Sequence, residues 1–223
     1  MTVEIQPASG DQVAAGARSC LYRLLAETLS FPAPGLAGAL ADGAWAAAAR
    51  AIASRLPFDL EIAAPGTGAV TAGDLEQEYI RVFEVGAGGP FCPLYEGSHR
   101  PGRMKIMEEL VRFYEHFGLQ HAPTDQPDHV CAEMEFMHYL CFKEAAASER
   151  QETGGLRLAQ RDFLSRHLCA WLPRVEKRLE GARPAPVLYR SLVSLAAAAC
   201  RRDLVWLKEC REKPDPEIGR LPD

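Results

Sequence analysis

β-Branched residues are scarce in this chain of 223 residues, and no stretch alternates polar and apolar side chains convincingly. Both absences argue against a sheet, whose pleated surface favours branched residues and a period of two. Alanine and leucine, good helix formers, dominate instead. There is no CxxC pair among the seven cysteines, Cys20, Cys92, Cys131, Cys141, Cys169, Cys200 and Cys210. An odd, scattered set reads as reduced thiols, mostly buried as small hydrophobes, in a cytosolic protein. The opening MTVEIQPASGDQVAAG has neither a basic start nor an apolar run, so no secretion signal is expected. The longest apolar run, near SLAAAAC (194–200), is far too short to span a bilayer. There is no excess of basic residues: 30 acids against 25 bases give a net charge of −5, which sets nucleic-acid binding aside. Gly-x-Ser-x-Gly elbow, P-loop and dinucleotide fingerprint are all missing, as is any internal repeat.

What is present is helical periodicity. Hydrophobic residues make up 48% of the chain, enough for one sizeable core. Asp11 is the expected cap of a first helix carrying Val13, Ala17, Leu21, Leu24, Leu25 and Leu29, which FPAPG (31–35) stops. A second helix is expected from Leu36 to Leu56, then a connector over 57–73. Thr71 and Asp74 form a capping box before a helix with Leu75, Tyr79, Val82 and Phe83 on its apolar side. A helix resumes near Arg103 and ends at Gly118. Another runs from the PDHVCAEM segment to about Ser148, where ETGG (152–155) is expected to break it. Residues 156–180 follow, divided at Pro173, and a last helix runs from Pro186 to near Cys210. The expected fold is an all-α single domain over 1–212, a bundle of about eight helices, with a frayed tail at 213–223.

Two patterns invite a metal or a catalytic reading. Glu135 and His138 have the Glu-x-x-His spacing of di-iron bundles, because residues three apart share a helix face. The other copy, Glu96 and His99, falls where no long helix is expected. His129, Glu133 and Glu135 could serve a metal-binding helical enzyme, but His129 and His138 point to opposite sides of a helix turning about 100° per residue. Asp128 fits a helix's first turn, where its charge complements the dipole. No nucleophile has an evident base. A structural helical adaptor is a further alternative.

The Gly/Pro-rich segment 86–102, GAGGPFCPLYEGSHRPG, is an uncommon interruption, with five glycines and three prolines in 17 residues. Long loops of this kind are often functional. It carries Phe91, Tyr95, Glu96 and His99. Acids crowd nearby: Asp74, Glu76, Glu78, Glu84 and Glu96 against Arg81 alone, and Asp125, Asp128, Glu133 and Glu135 with no base between them. An aromatic loop beside an acidic zone suits a basic, partly apolar peptide, with rim charges steering the encounter.

These motifs resemble the TorD/DmsD/NarJ family of cytoplasmic chaperones for molybdenum oxidoreductases. The likeness lies in EYIRVFEV (78–85), PLYEGS (93–98), FYEHFGL (113–119), PDHVCAEMEFM (127–137) and DFLSRHLCAWLPRVEKRL (162–179). It implies a non-catalytic, all-α cytoplasmic chaperone, a monomer or homodimer without a cofactor of its own. Its partner would be the apo catalytic subunit of a molybdenum oxidoreductase, held by its N-terminal twin-arginine-type leader until cofactor insertion. The wording PFCPLYEG looks closest to chaperones of dimethyl-sulfide, ethylbenzene or selenate-type enzymes. Carried over, the peptide-binding residues are Tyr95, Glu96, Ser98, Asp128 and His129, with Glu133 one turn further on. Trp171 matches a family aromatic and reads as core. Gly97, which separates Glu96 from Ser98, departs from the family's usual tyrosine–glutamate–serine and puts the serine's role in doubt.

Overall fold

Ser9, rather than Asp11, caps the first helix. In the computed structural model, which describes residues 9–63, 71–86, 88–120 and 126–212, its hydroxyl accepts from the Gln12 N–H. The Gln12 side chain answers by accepting from the Ser9 N–H, a reciprocal box that satisfies two orphan donors. Helix α1 (Gly10–Leu29) then buries Leu21, Tyr22, Leu25 and Leu29.

The expected Leu36–Leu56 helix is two: α2 (Leu36–Ala41) and α3 (Ala44–Ala53). Gly43 divides them at φ +80°, a left-handed conformation that glycine adopts without steric cost. Of the connector 57–73, with the subunit exchange it would allow, residues 64–70 lie outside the described residues. Thr71 and Asp74 form the expected capping box of α4 (Ala72–Tyr79). That helix widens into one π turn, Ile80–Glu84, closed by a 2.9 Å bond from the Val85 N–H to the Ile80 carbonyl.

After the loop come α5 (Arg103–His116), α6 (Val130–Ala146), α7 (Arg150–Arg166), α8 (Leu168–Glu180) and α9 (Val187–Glu212). Two expected breaks fall elsewhere. ETGG lies inside α7, and the preceding helix already stops at Ala147. Leu156, Gln160, Phe163 and Leu164 of α7 are buried, and that burial outweighs the cost of two exposed glycines, about 1 kcal/mol each. The second break is at His167, whose backbone leaves the helical region, while Pro173 sits within α8.

Helix α1 lies along α6, α8 pairs with α9, and α7 packs against α6, α8 and α9. One continuous cluster of buried side chains runs from Leu21 to Leu207. The described residues thus form nine α-helices with no strand, the expected all-α class. None of those helices is long and apolar enough to cross a membrane. The expected tail at 213–223 lies outside the described residues.

Candidate functional site

The loop 86–102 meets the start of α6 through two backbone bonds. The Glu96 N–H donates to the Asp128 carbonyl at 2.8 Å, and the Val130 N–H to the Leu94 carbonyl at 2.9 Å. Between them Tyr95 and His129 form an isolated antiparallel pair. Bonds on either side of the pair, and none within it, bring the two side chains close on one face. The rings meet edge-on with centroids 4.9 Å apart.

Both rings border a depression of about 660 Å³, floored and walled by Tyr114, Phe136, Tyr139 and Leu119. Its walls are fixed: the Tyr114 hydroxyl donates to the Pro127 carbonyl at 2.9 Å, and that of Tyr139 to the Phe117 carbonyl at 3.1 Å. His129 is also the N-cap of α6, with Nδ1 accepting from the Cys131 N–H at 3.2 Å. An accepting Nδ1 leaves the ring's proton on Nε2, and burial holds the imidazole below its ordinary pKa. Burial, reinforced by the charge of Glu84, pushes the Tyr95 phenol upward.

The three acids expected on the rim are inside. Glu96, Asp128 and Glu133 have no exposed surface. Asp128 precedes the helix rather than sitting in its first turn, and its Oδ2 accepts from the Gly97 N–H at 3.2 Å with Arg103 Nε 3.4 Å away. Glu96 is paired with Arg100 and, at 2.8 Å, with His167 Nδ1. Glu133 accepts from the Trp171 indole N–H at 3.0 Å, so the family aromatic is a buried donor as well as core. Partners 31, 38 and 71 positions away (Gly97, Trp171 and His167) thus hold these acids inside, which no local pattern reveals.

Gly97 has its own reason. A Cβ there would stand 2.3 Å from Arg103 Cγ and 2.9 Å from Arg103 Cβ, so the loop's close approach to α5 excludes a side chain. Ser98 ends the short 3₁₀ turn Glu96–Ser98 and is exposed, with its N–H on the Tyr95 carbonyl at 3.0 Å. It does not line the depression. Asp125 lies outside the described residues.

The metal reading finds no geometry. Glu133 points inward while Glu135 is exposed, so His129, Glu133 and Glu135 do not converge, and no group of three or more such ligands occurs among the described residues. His99 stacks on Trp171 and His138 bonds Ser19, each away from the other.

Burial, and then the neighbouring Glu96 carboxylate, push the Glu133 carboxyl well above its ordinary range. Its Oε1 has no hydrogen-bond partner, so nothing there favours the charged form. Glu133→Gln should therefore be tolerated, since the amide reproduces the protonated acid. Because the folded pKa is raised, stability is fully present below the unfolded value of 4.5 and falls as pH rises towards the folded value. That fall is about 1.4 kcal/mol per pH unit. The variant should lack it, matching wild type in urea denaturation at pH 4.5 and exceeding it at pH 8.

The profile of the nitrate reductase delta subunit family matches residues 39–176. Over 158 residues the chain is 45% identical to a selenate reductase assembly chaperone protein of Thauera selenatis, covering 69% of this chain and 78% of that protein. A dimethyl sulfide dehydrogenase assembly chaperone protein of Rhodovulum sulfidophilum is 36% identical over 207 residues, 85% of this chain and 80% of that one. A perchlorate reductase assembly chaperone protein of Dechloromonas aromatica is 34% identical over 201 residues, 81% of this chain and 85% of that one. As its motifs implied, the chain belongs to the nitrate reductase delta subunit family.

Proposed function

We propose that this protein is a non-catalytic, cytoplasmic assembly chaperone for the catalytic subunit of a molybdenum oxidoreductase. It holds that subunit by its N-terminal, twin-arginine-type leader until the cofactor is in place. The observation that carries this reading is the pairing of Tyr95 with His129 on the edge of a preformed aromatic depression. The names of the relatives support the chaperone role, and the groove offers a leader segment apolar area without any group arranged for chemistry.

The division of labour differs from a simple rim of acids. Tyr95 and His129 touch the client. Glu96, Asp128 and Glu133, each buried, hold the loop and α6 so that those two rings stay paired, and Ser98 closes the turn between them. Apolar contact supplies most of the affinity, because an exposed ion pair adds only about 0.2–1 kcal/mol. Release needs no bond to break: a client that has folded around its cofactor withdraws the segment.

Calorimetry with a twin-arginine leader peptide from the catalytic subunit of a molybdenum oxidoreductase tests the reading. Tyr95→Ala removes one side of the groove and should weaken binding about tenfold, roughly 1.4 kcal/mol. Unchanged affinity in both Tyr95→Ala and Asp128→Ala would overturn the assignment.

A further inference from the structure

The depression beside Tyr95 and His129 has an apolar floor, yet it is not neutral. Among the described residues that line it, Glu135 is the single ionisable carboxylate, and it is exposed. Glu135 stands six residues along α6 from the His129 cap, on the side of the helix facing away from buried Glu133 and Met137. It has no hydrogen bond or ion pair with any other described residue. Arg23 of α1 feels the charge of Glu135 but is bound to Glu27 at 2.8 Å. Among the described residues, Glu27 offsets Arg23 and Asp128 stands beside Arg103, so Glu135 adds a negative charge to this edge of the groove. The remaining polar liners, Gln120 and Gln126, are neutral, and Gln126 is already used by Arg103 at 2.9 Å.

Resting on the reading above, we infer that Glu135 is the residue that recognises a basic side chain of the bound segment. The occupant is a peptide whose apolar residues lie on Tyr139 and Leu119 and whose arginine or lysine reaches Glu135. Charge complementarity selects this occupant, since an acidic or purely apolar segment would leave that carboxylate repelled or unmatched. The role expected of Glu96, Asp128 and Glu133 thus passes to an acid that the opening of α6 leaves in solvent. Glu135 sets specificity and encounter, while the aromatic floor sets the bulk of the affinity.

Fluorescence polarisation on the full chain tests this with two labelled 20-residue peptides. One carries two arginines followed by leucine and phenylalanine, and the other replaces both arginines with glutamate. At 50 mM salt Glu135→Lys should weaken the arginine peptide roughly tenfold and tighten the glutamate peptide, with both effects shrinking at 500 mM. Tyr139→Ala should weaken both peptides alike. If Glu135→Lys leaves the arginine peptide unaffected while Tyr139→Ala weakens it, the groove stands and the charge assignment falls. If neither substitution changes either affinity, the groove reading itself is overturned.

Discussion

Arg18→Met should lower the thermal midpoint by about 6–20 °C, the largest loss expected from any single substitution here. Arg18 is fully buried in α1 and gathers three other helices around it. Its Nε and Nη2 grip Asp203 of α9 at 2.7 and 3.0 Å, its Nη1 reaches Glu144 of α6 at 2.9 Å, and its Nη2 also bonds Gln160 of α7. Tyr22 adds a 2.7 Å bond to Asp203, and Gln160 one of 2.9 Å to Glu144. The guanidinium also lies over the Trp206 ring, 4.8 Å from its centroid. Burial opposes the Arg18 charge, but Asp203 and then Glu144 outweigh it and hold its pKa above the ordinary value. Burial lifts the Asp203 carboxyl even against Arg18, so the pair sits near the balance of desolvation and attraction.

That balance is why removing one partner is worse than never having had the pair. Methionine fills much of the space but leaves the buried Asp203 carboxylate without its cation, while Glu144 keeps only Arg157. Breaking such a buried arrangement costs about 3–5 kcal/mol, and each kcal/mol moves the midpoint by roughly 2–4 °C at this chain length. Differential scanning calorimetry reads it directly. The double variant Arg18→Met with Asp203→Asn should recover part of the loss, and a midpoint unchanged in the single variant would show that the network is not holding α1 to α9.

Arg18 was hidden in plain sight. It shares the apolar face of α1 with Ala14, Ala15, Leu21, Tyr22 and Leu25, at spacings of three, four and seven. A lone arginine on a face otherwise alanine and leucine is the one local signal of a buried ion pair, but its partners lie 126 to 185 residues away. The same contrast runs through the molecule. Signals that act within a few residues were readable: the Thr71–Asp74 box, the start at Arg103, the turn at Gly118 and the burial of Leu75, Tyr79, Val82 and Phe83. Outcomes set by distant packing were not. Two glycines pass through α7 because its buried face decides the matter, and the helix breaks at His167, whose ring is held by Glu96. The neighbourhood of loop and α6 was legible from the motifs, whereas which acids face water was not. Alternation of charge along a chain says nothing about an arginine or tryptophan that arrives from another helix.

Glu96→Ala should combine a loss of about 3–4 kcal/mol with loss of the groove, and it separates positioning from contact. The carboxylate is the knot of the site. It holds Arg100 and, at 2.8 Å, His167 Nδ1 between α7 and α8, and its charge acts on the buried Glu133 carboxyl. Alanine leaves His167 Nδ1 without its partner in a place closed to water, and Arg100 keeps only the Arg166 carbonyl. The turn Glu96–Ser98 then has nothing pulling it inward, and the Tyr95–His129 pair loosens although neither ring has been altered. Hydrogen exchange gives a readout that general destabilisation would not mimic: the amides of Glu96 and Val130, which donate across the bridge, should lose protection well below the cost of global unfolding. Leader affinity should fall at least as far as in Tyr95→Ala. Glu96→Gln, which keeps one acceptor but no charge, should land between wild type and alanine, whereas Glu133→Gln should leave the bridge intact. If Glu96→Ala kept both amides protected and the midpoint unmoved, the loop would be held by its backbone alone, and the buried acids would have no part in presenting Tyr95.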